Sequence, residues 1–169
     1  MTWLDDDEIH ERLQSGEALA LSEALAAMEL RLEAIDLPKP PTLTAAQLAP
    51  LARQADYATA QRMADLLLET QGDRGPGVLA TLVATALPLE AMHAVAMSLK
   101  VHAEPGSTVR GVVERLGPAL ELVEASRVAP VQHFLSCLLD GRPPVVEGTR
   151  EALGTWRDGE VTREIVKGL

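Results

Sequence analysis

Glycine and proline divide this chain into apolar-polar segments of helical length. No stretch keeps the strict alternation of apolar and polar residues that marks a half-buried strand, and alanine and leucine fill most apolar positions. The pattern therefore predicts an all-α protein. The expected helices cover 5–14, 17–36, 44–54, 57–71, 77–87, 88–100, 107–117, 118–127 and 129–140.

The most regular apolar stripe lies in the segment 17–36. Its members are spaced four, three, four and three residues apart, so they share one helix face: Leu21, Leu25, Met28, Leu32 and Ile35. The simplest interpretation is packing against the rest of the domain. If the helix stands clear of the core, the same stripe is an interaction surface, and we then expect a homodimer formed through it.

Three prolines between 38 and 41 end this helix and favour an extended connector. They divide the chain into an N-terminal acidic and amphipathic part, 1–37, and a proline-rich linker, 38–43. The main helical core, 44–141, follows, and 142–169 forms short C-terminal helices or a tail. Within the core, prolines recur just before helix-like runs and predict tight helix-to-helix joints at Pro50, Pro88, Pro118 and Pro130. Kinks within longer helices are the alternative at these prolines.

Two architectures fit this string of short helices. The first is an irregular multi-helix bundle of short helices and helical hairpins. The second is a short α-solenoid of the tetratricopeptide or HEAT type, because a shift of 68 residues aligns Leu48 with Leu116 and Pro50 with Pro118. The stretch 52–60 resembles part of a tetratricopeptide hairpin, although the Trp and Leu-Gly of that repeat's first helix are missing. The resemblance implies stacked helical hairpins.

The charge balance and the cysteine content disfavour several classes of function. The chain has 15 basic and 25 acidic residues, a formal charge of −10, and its few lysines are far apart. This balance disfavours binding to nucleic acid or to anionic membranes and suits a basic protein partner. The single cysteine excludes an internal disulfide, and the N-terminus lacks a secretory pattern, so a cytoplasmic location is expected.

The segment 75–99 is the most apolar part of the chain. Glu90 is its only formal charge, and Pro88 interrupts it. A membrane span needs about 20 consecutive apolar residues, so we interpret this segment as a buried central hairpin.

Glu90 and His93 form a candidate metal-binding pair. They are three residues apart on one helix face, which is half of a carboxylate-bridged dimetal pattern, and Asp7 with His10 supplies a second such pair. The structural alternative places Glu90 in the first turn of its helix and makes His93 a partly buried core residue. We assign no cofactor.

Two further features have functional and structural interpretations. His133 and Cys137 share a helix face, which would suit a nucleophile or a metal ligand, but the apolar neighbours predict an inert thiol. Trp156 stands beside Arg150 and Arg157, a composition that is common in binding hot spots, or it covers the core.

The favoured function is a non-catalytic helical interaction module: an adaptor, a chaperone-like factor or a regulator. It would act through apolar helix stripes and an acidic surface, and we expect no enzyme activity. The alternative is a small helical metal- or ligand-binding protein or enzyme that uses Glu90 and His93. A DNA-binding regulator is a weaker alternative, because no predicted helix carries a cluster of basic residues.

Overall fold

The computed structural model describes residues 3–101, 125–127, 130, 131, 133, 134 and 137, and most of these residues are helical. The α-helices are α1 (Asp6–Ser15), α2 (Ala18–Glu33), α3 (Ala45–Arg53), α4 (Tyr57–Thr70), α5 (Gly75–Thr85) and α6 (Leu89–Val101). Short 3-10 turns cover Gly72–Arg74 and Ala125–Arg127. The all-α prediction is confirmed, whereas the helix expected at 107–117 lies outside the described residues.

Local polar side chains fix where several helices begin. The Asp5 carboxylate accepts a hydrogen bond from Glu8 N at 2.8 Å and caps α1. Thr44 and Gln47 form a reciprocal capping box at the start of α3. Each cap satisfies a backbone N–H that has no partner inside the helix, so these starts are encoded within four residues of sequence.

The prolines do not all mark joints. Pro88 immediately precedes α6, as predicted, but Pro50 lies inside α3. The expectation of a joint at Pro50 was wrong because the capping box at Thr44 starts the helix six residues earlier. Proline has no N–H, so Pro50 cannot bond the carbonyl four residues before it. Of the remaining two, Pro118 lies outside the described residues and Pro130 is helical.

The helices form two layers along the chain. α1, α3 and α5 contact one another in order, and α2, α4 and α6 do the same, with the most extensive packing between α4 and α6. Helical hairpins stack in this order in an α-solenoid. However, α3 contacts α4 only weakly, and α5 contacts α6 only weakly, so these pairs are not tight hairpins. The structure agrees with an irregular multi-helix bundle and does not confirm the solenoid.

One hydrophobic core extends from Leu4 to Phe134, and all six helices contribute to it. α5 and α6 are largely buried, as expected, but each packs on α4 rather than chiefly on the other, which corrects the prediction of a central hairpin. At Gly75, α5 begins so close to α4 that an added Cβ would lie 2.8 Å from the Leu67 carbonyl oxygen. No helix in the described part is long and apolar enough to cross a membrane.

The segment 38–43, predicted as a linker, is irregular but is not a free spacer. Arg31, on α2, is only 3% exposed, and it donates to the carbonyls of Pro38 at 3.0 Å and Lys39 at 2.6 Å. Leu43 is buried in the core. The side-chain amide of Gln71, in the orientation that satisfies both groups, donates to Leu43 O at 3.1 Å and accepts from Leu43 N at 3.0 Å. The segment is therefore bound along its length by α2 and by the end of α4.

Arg31 also holds the N-terminal residues. Its guanidinium forms an ion pair with Asp6 at 2.7 Å, donates to Leu4 O at 3.4 Å and lies 5.9 Å from the centre of the Trp3 ring. One side chain thus joins the entry to α1, the end of α2 and the segment 38–43. The planar guanidinium has five N–H donors in a fixed geometry, which makes arginine suited to this task and lysine unsuited to it.

Candidate interaction surface

The apolar stripe of α2 faces the protein's own core. Leu21, Leu25 and Met28 are buried, and Leu32 is partly buried against the same cluster. Ile35 is fully exposed, but it lies beyond the end of α2. The helix therefore does not stand clear of the core, and the expected dimer surface on this face is corrected to an intramolecular contact. Leu21, Leu25 and Met28 are already removed from water and have no free surface to offer a second copy.

Glu90 and His93 lie on the surface rather than in a pocket. Glu90 is in the first turn of α6, as the structural interpretation expected. His93 is exposed, which corrects the expectation of a partly buried core residue, and its ring packs against Tyr57 with the ring centres 5.7 Å apart. Across the described residues, no group of three His, Cys, Asp or Glu side chains could hold a metal ion. Glu90 and His93 therefore have no third metal ligand beside them among the described residues.

Cys137 and His133 lie within hydrogen-bonding distance of each other, but the surroundings of the thiol disfavour its ionised form. The Cys137 Sγ lies 3.7 Å from His133 Nε2. Burial raises the pKa of the Cys137 thiol, although the positive charge of Lys100 opposes this. Lys100 Nζ donates instead to the Cys137 carbonyl at 2.8 Å. A raised pKa keeps the sulfur protonated at neutral pH and so disfavours nucleophilic chemistry. Trp156 lies outside the described residues.

A different surface of the protein exposes several neighbouring apolar side chains to solvent. We call it the α6 ridge: Leu89, His93, Met97 and Val101 along the helix, with Tyr57 of α4 beside them. The exposed fractions are 47% for Leu89, 75% for Val101 and 43% for Tyr57. The α6 members follow one another at a spacing of four residues, so they lie on one side of the helix and drift slowly around it.

The ridge is positioned by the packing of α6 on α4. Tyr57 near the start of α4 meets His93 near the start of α6, and Ser98 Oγ of α6 donates to Gln61 O of α4 at 3.5 Å. The two helices therefore run in the same direction. The opposite side of α6 is buried in the core by small and medium side chains, among them Ala91 and Ala94. This holds the ridge outward as a rigid surface.

Negative charge stands at the start of the ridge. Asp56 precedes Tyr57, and Glu90 follows Leu89, and both side chains are exposed. The Asp56 carboxylate accepts a hydrogen bond from Thr59 N at 2.8 Å, and this bond lowers the pKa of Asp56. It is therefore ionised at neutral pH. The ridge combines an aromatic ring, aliphatic side chains and an acidic edge, a composition that resembles the centre and rim of many protein interfaces.

The sequence contains a sign of this ridge. The segment 75–99 is almost uncharged, which favours the buried hairpin predicted above. Leu89, His93 and Met97 nevertheless stand at a spacing of four, while Ala91, Val95 and Ser98 fall on the other side of the same helix. This spacing places the ridge residues on one side of α6, opposite the fully buried Met92, Val95 and Leu99.

Comparison of the chain with protein-family models, with curated proteins and with solved structures finds no match.

Proposed function

We propose that the chain is a non-catalytic helical interaction module that binds a basic amphipathic helix of a partner protein along the α6 ridge. The observation that carries this proposal is the pairing of Tyr57 with the exposed start of α6, where Leu89 and His93 continue the same surface. Tyrosine is enriched in binding hot spots because its ring offers a large contact area and its hydroxyl a polar end.

The partner chemistry follows from the spacing and the charge. A helix laid along the ridge would place its own apolar side chains, at a spacing of three and four residues, between Leu89, Met97 and Val101. Lysine or arginine at the edge of that helix would face Asp56 and Glu90. Charge pairs at such an edge guide association and select the partner more than they add affinity.

A second copy of this chain suits the ridge less well than a basic partner does. Each copy carries a net charge of −10, and two copies with parallel α6 helices would bring Asp56 and Glu90 near the same groups of the other copy. Like charges brought together at an interface cost binding energy. The homodimer expected earlier also loses the surface on which it depended, because the apolar stripe of α2 is buried.

The test uses two synthetic helical peptides with the same leucine stripe, one with lysine on its polar face and one with glutamate. Fluorescence anisotropy would measure their affinities for the full chain. We expect the lysine peptide to bind and the glutamate peptide to bind at least tenfold more weakly, about 1.4 kcal/mol. Replacing two of the ridge residues, by Tyr57→Ala and Leu89→Ser, should weaken binding of the lysine peptide by at least tenfold.

The matched control is Leu19→Ser on α2. Leu19 is 73% exposed, so the substitution removes an equally apolar surface group away from the ridge. Its affinity for the lysine peptide should stay within twofold of the unchanged chain. Equal weakening by Leu19→Ser, or equal binding of both peptides, would contradict the proposal. If sedimentation shows a dimer that Leu89→Ser dissociates, the occupant of the ridge is a second copy of this chain and not a basic helix.

A further inference from the structure

The described methionines differ sharply in how far solvent reaches them. Met28 is 1% exposed, and Met63 and Met92 are 0% exposed, so their thioethers lie inside the core. Met97, on α6, is only partly buried. These methionines therefore divide into three protected side chains and one side chain that solvent reaches.

Met97 lies in the middle of the α6 ridge. Its neighbours one turn away on the same side are His93, which is exposed, and Val101, which is 75% exposed. Its neighbours in sequence, Ala96 and Ser98, are fully buried. The thioether of Met97 therefore belongs to the surface that the partner helix would cover.

A methionine at this position has a chemical property that the aliphatic ridge residues lack. Its thioether is flexible and polarisable, which suits a surface that adapts to a partner. It is also readily oxidised to methionine sulfoxide, which turns a flexible apolar side chain into a polar and chiral one. A leucine or a valine in the same place would give the apolar contact without this sensitivity.

We infer that Met97 is a redox-sensitive modification site, and that its oxidation by a peroxide weakens partner binding along the α6 ridge. The effect on binding rests on the function proposed above, whereas the site of oxidation does not. With hydrogen peroxide, one oxygen atom is transferred to the Met97 sulfur: the O–O bond breaks, an S–O bond forms, and water leaves. The sulfur is oxidised by two electrons, and the peroxide is reduced by two.

The sulfoxide would disturb the complex because its oxygen accepts hydrogen bonds. In the free chain, water supplies the donors, since Met97 is partly exposed. Beneath the apolar face of a bound helix this oxygen would lose them, and a buried polar group without a hydrogen bond is costly. Oxidation should therefore weaken binding without unfolding the chain.

Cys137 is a second partly buried side chain that contains sulfur. Burial raises the pKa of its thiol, which lowers the fraction of thiolate, and the thiolate is the reactive form. The experiment still uses a chain with Cys137→Ser, so that any loss of binding arises from methionine.

This chain would be treated with hydrogen peroxide, cleared of it with catalase and digested for mass spectrometry. We expect Met97 to be oxidised about tenfold faster, or more, than Met28, Met63 and Met92. Fluorescence anisotropy with the lysine peptide, made without sulfur, should show an affinity lower by about fivefold once Met97 is oxidised. Methionine sulfoxide reductases for both epimers, with dithiothreitol as reductant, should restore the affinity.

The deciding variant is Met97→Leu, which keeps an apolar side chain of similar volume and cannot form a sulfoxide. It should bind the lysine peptide about as well as the unchanged chain and should not respond to peroxide. Met63→Leu is the matched control at a buried methionine, and its binding should remain sensitive to peroxide.

Three results would overturn the inference: equal oxidation of the four described methionines, an affinity that oxidation of Met97 leaves unchanged, or a peroxide response that persists in Met97→Leu. If the untreated chain does not bind the lysine peptide, the proposed function fails and the effect on binding fails with it. The order of oxidation among the methionines would still decide whether Met97 is the modification site.

Discussion

The two halves of the described structure are held together by different chemistry. From Leu4 to Leu43, buried polar groups hold irregular backbone in place: Arg31 bonds three carbonyls and one carboxylate. From α4 to α6, the helices meet through alanine, serine, glycine and aliphatic side chains. Regular helices satisfy their own backbone and need only a close fit, whereas an irregular segment needs side chains to satisfy its backbone.

The difference also predicts how each half responds to substitution. In the N-terminal half, loss of one side chain leaves several acceptors without donors at once. In the α4–α6 half, loss of a hydrogen bond should matter little, and added volume should matter more.

The largest effect is expected for Arg31→Ala. This change removes the donors for Leu4 O, which is buried, and for Pro38 O and Lys39 O, which are partly buried. An unsatisfied buried acceptor costs about 1–3 kcal/mol, and a partly buried one costs less because water can reach it. We expect the free energy of unfolding to fall by about 2–4 kcal/mol. Urea unfolding followed by circular dichroism would measure it.

Two variants make the Arg31 experiment specific. Arg31→Lys keeps the charge but not the planar set of donors, so it should lose most of the same stability. Arg12→Ala removes an exposed ion pair with Glu23, whose N···O distance is 3.3 Å, and should cost about 0.5 kcal/mol or less. A cost for Arg31→Ala no greater than that of Arg12→Ala would remove the distinction between the two halves.

A smaller effect is expected at the contact of α4 with α6. Ser98 is fully buried, and its hydrogen bond to Gln61 O is long at 3.5 Å. Ser98→Leu should force the helices apart and lower the free energy of unfolding by about 1–3 kcal/mol. Ser98→Ala removes only the weak bond and should change the free energy by about 0.5 kcal/mol or less. The reverse order in urea unfolding would show that hydrogen bonding, and not volume, controls this contact.

The smallest effect concerns the cap of α4. The pKa of Asp56 is lowered in the folded state, first by its hydrogen bond from Thr59 N. Its contribution is therefore present above the unfolded pKa, near 3.8, and is lost as the pH falls through the folded pKa. Asp56→Ala should lower the urea midpoint at pH 6, and its difference from the unchanged chain should shrink at pH 3. Asp56→Asn, which caps without titrating, should keep most of the midpoint. A constant difference between Asp56→Ala and the unchanged chain at both pH values would contradict this account.

Much of the fold could be predicted from sequence because its helices are encoded locally. The predicted segments 57–71 and 88–100 match α4 and α6 to within one residue at each end. The role of Arg31 could not be predicted in this way, because its partners are brought to it by tertiary structure. The residues that it joins, 4, 6, 38 and 39, stand in two separate parts of the sequence.

The candidate surfaces were less predictable than the helices. A stripe of Leu21, Leu25 and Met28 has the same pattern whether it packs inward or outward, and only tertiary contacts decide between the two. The α6 ridge was not predicted because its neighbours in sequence are also apolar, so the apolar pattern does not separate the exposed side of the helix from the buried side.

The hydrogen bonds that Arg31 and Gln71 make to the segment 38–43 affect what happens when the chain is cut within this segment. Three prolines would make the segment a natural place to end one fragment and begin another. A backbone nick within it would nevertheless leave both new ends bound, one by Arg31 and the other by Gln71 through Leu43. We expect the two pieces to remain associated and to reassemble when mixed, and neither to keep a complete core alone.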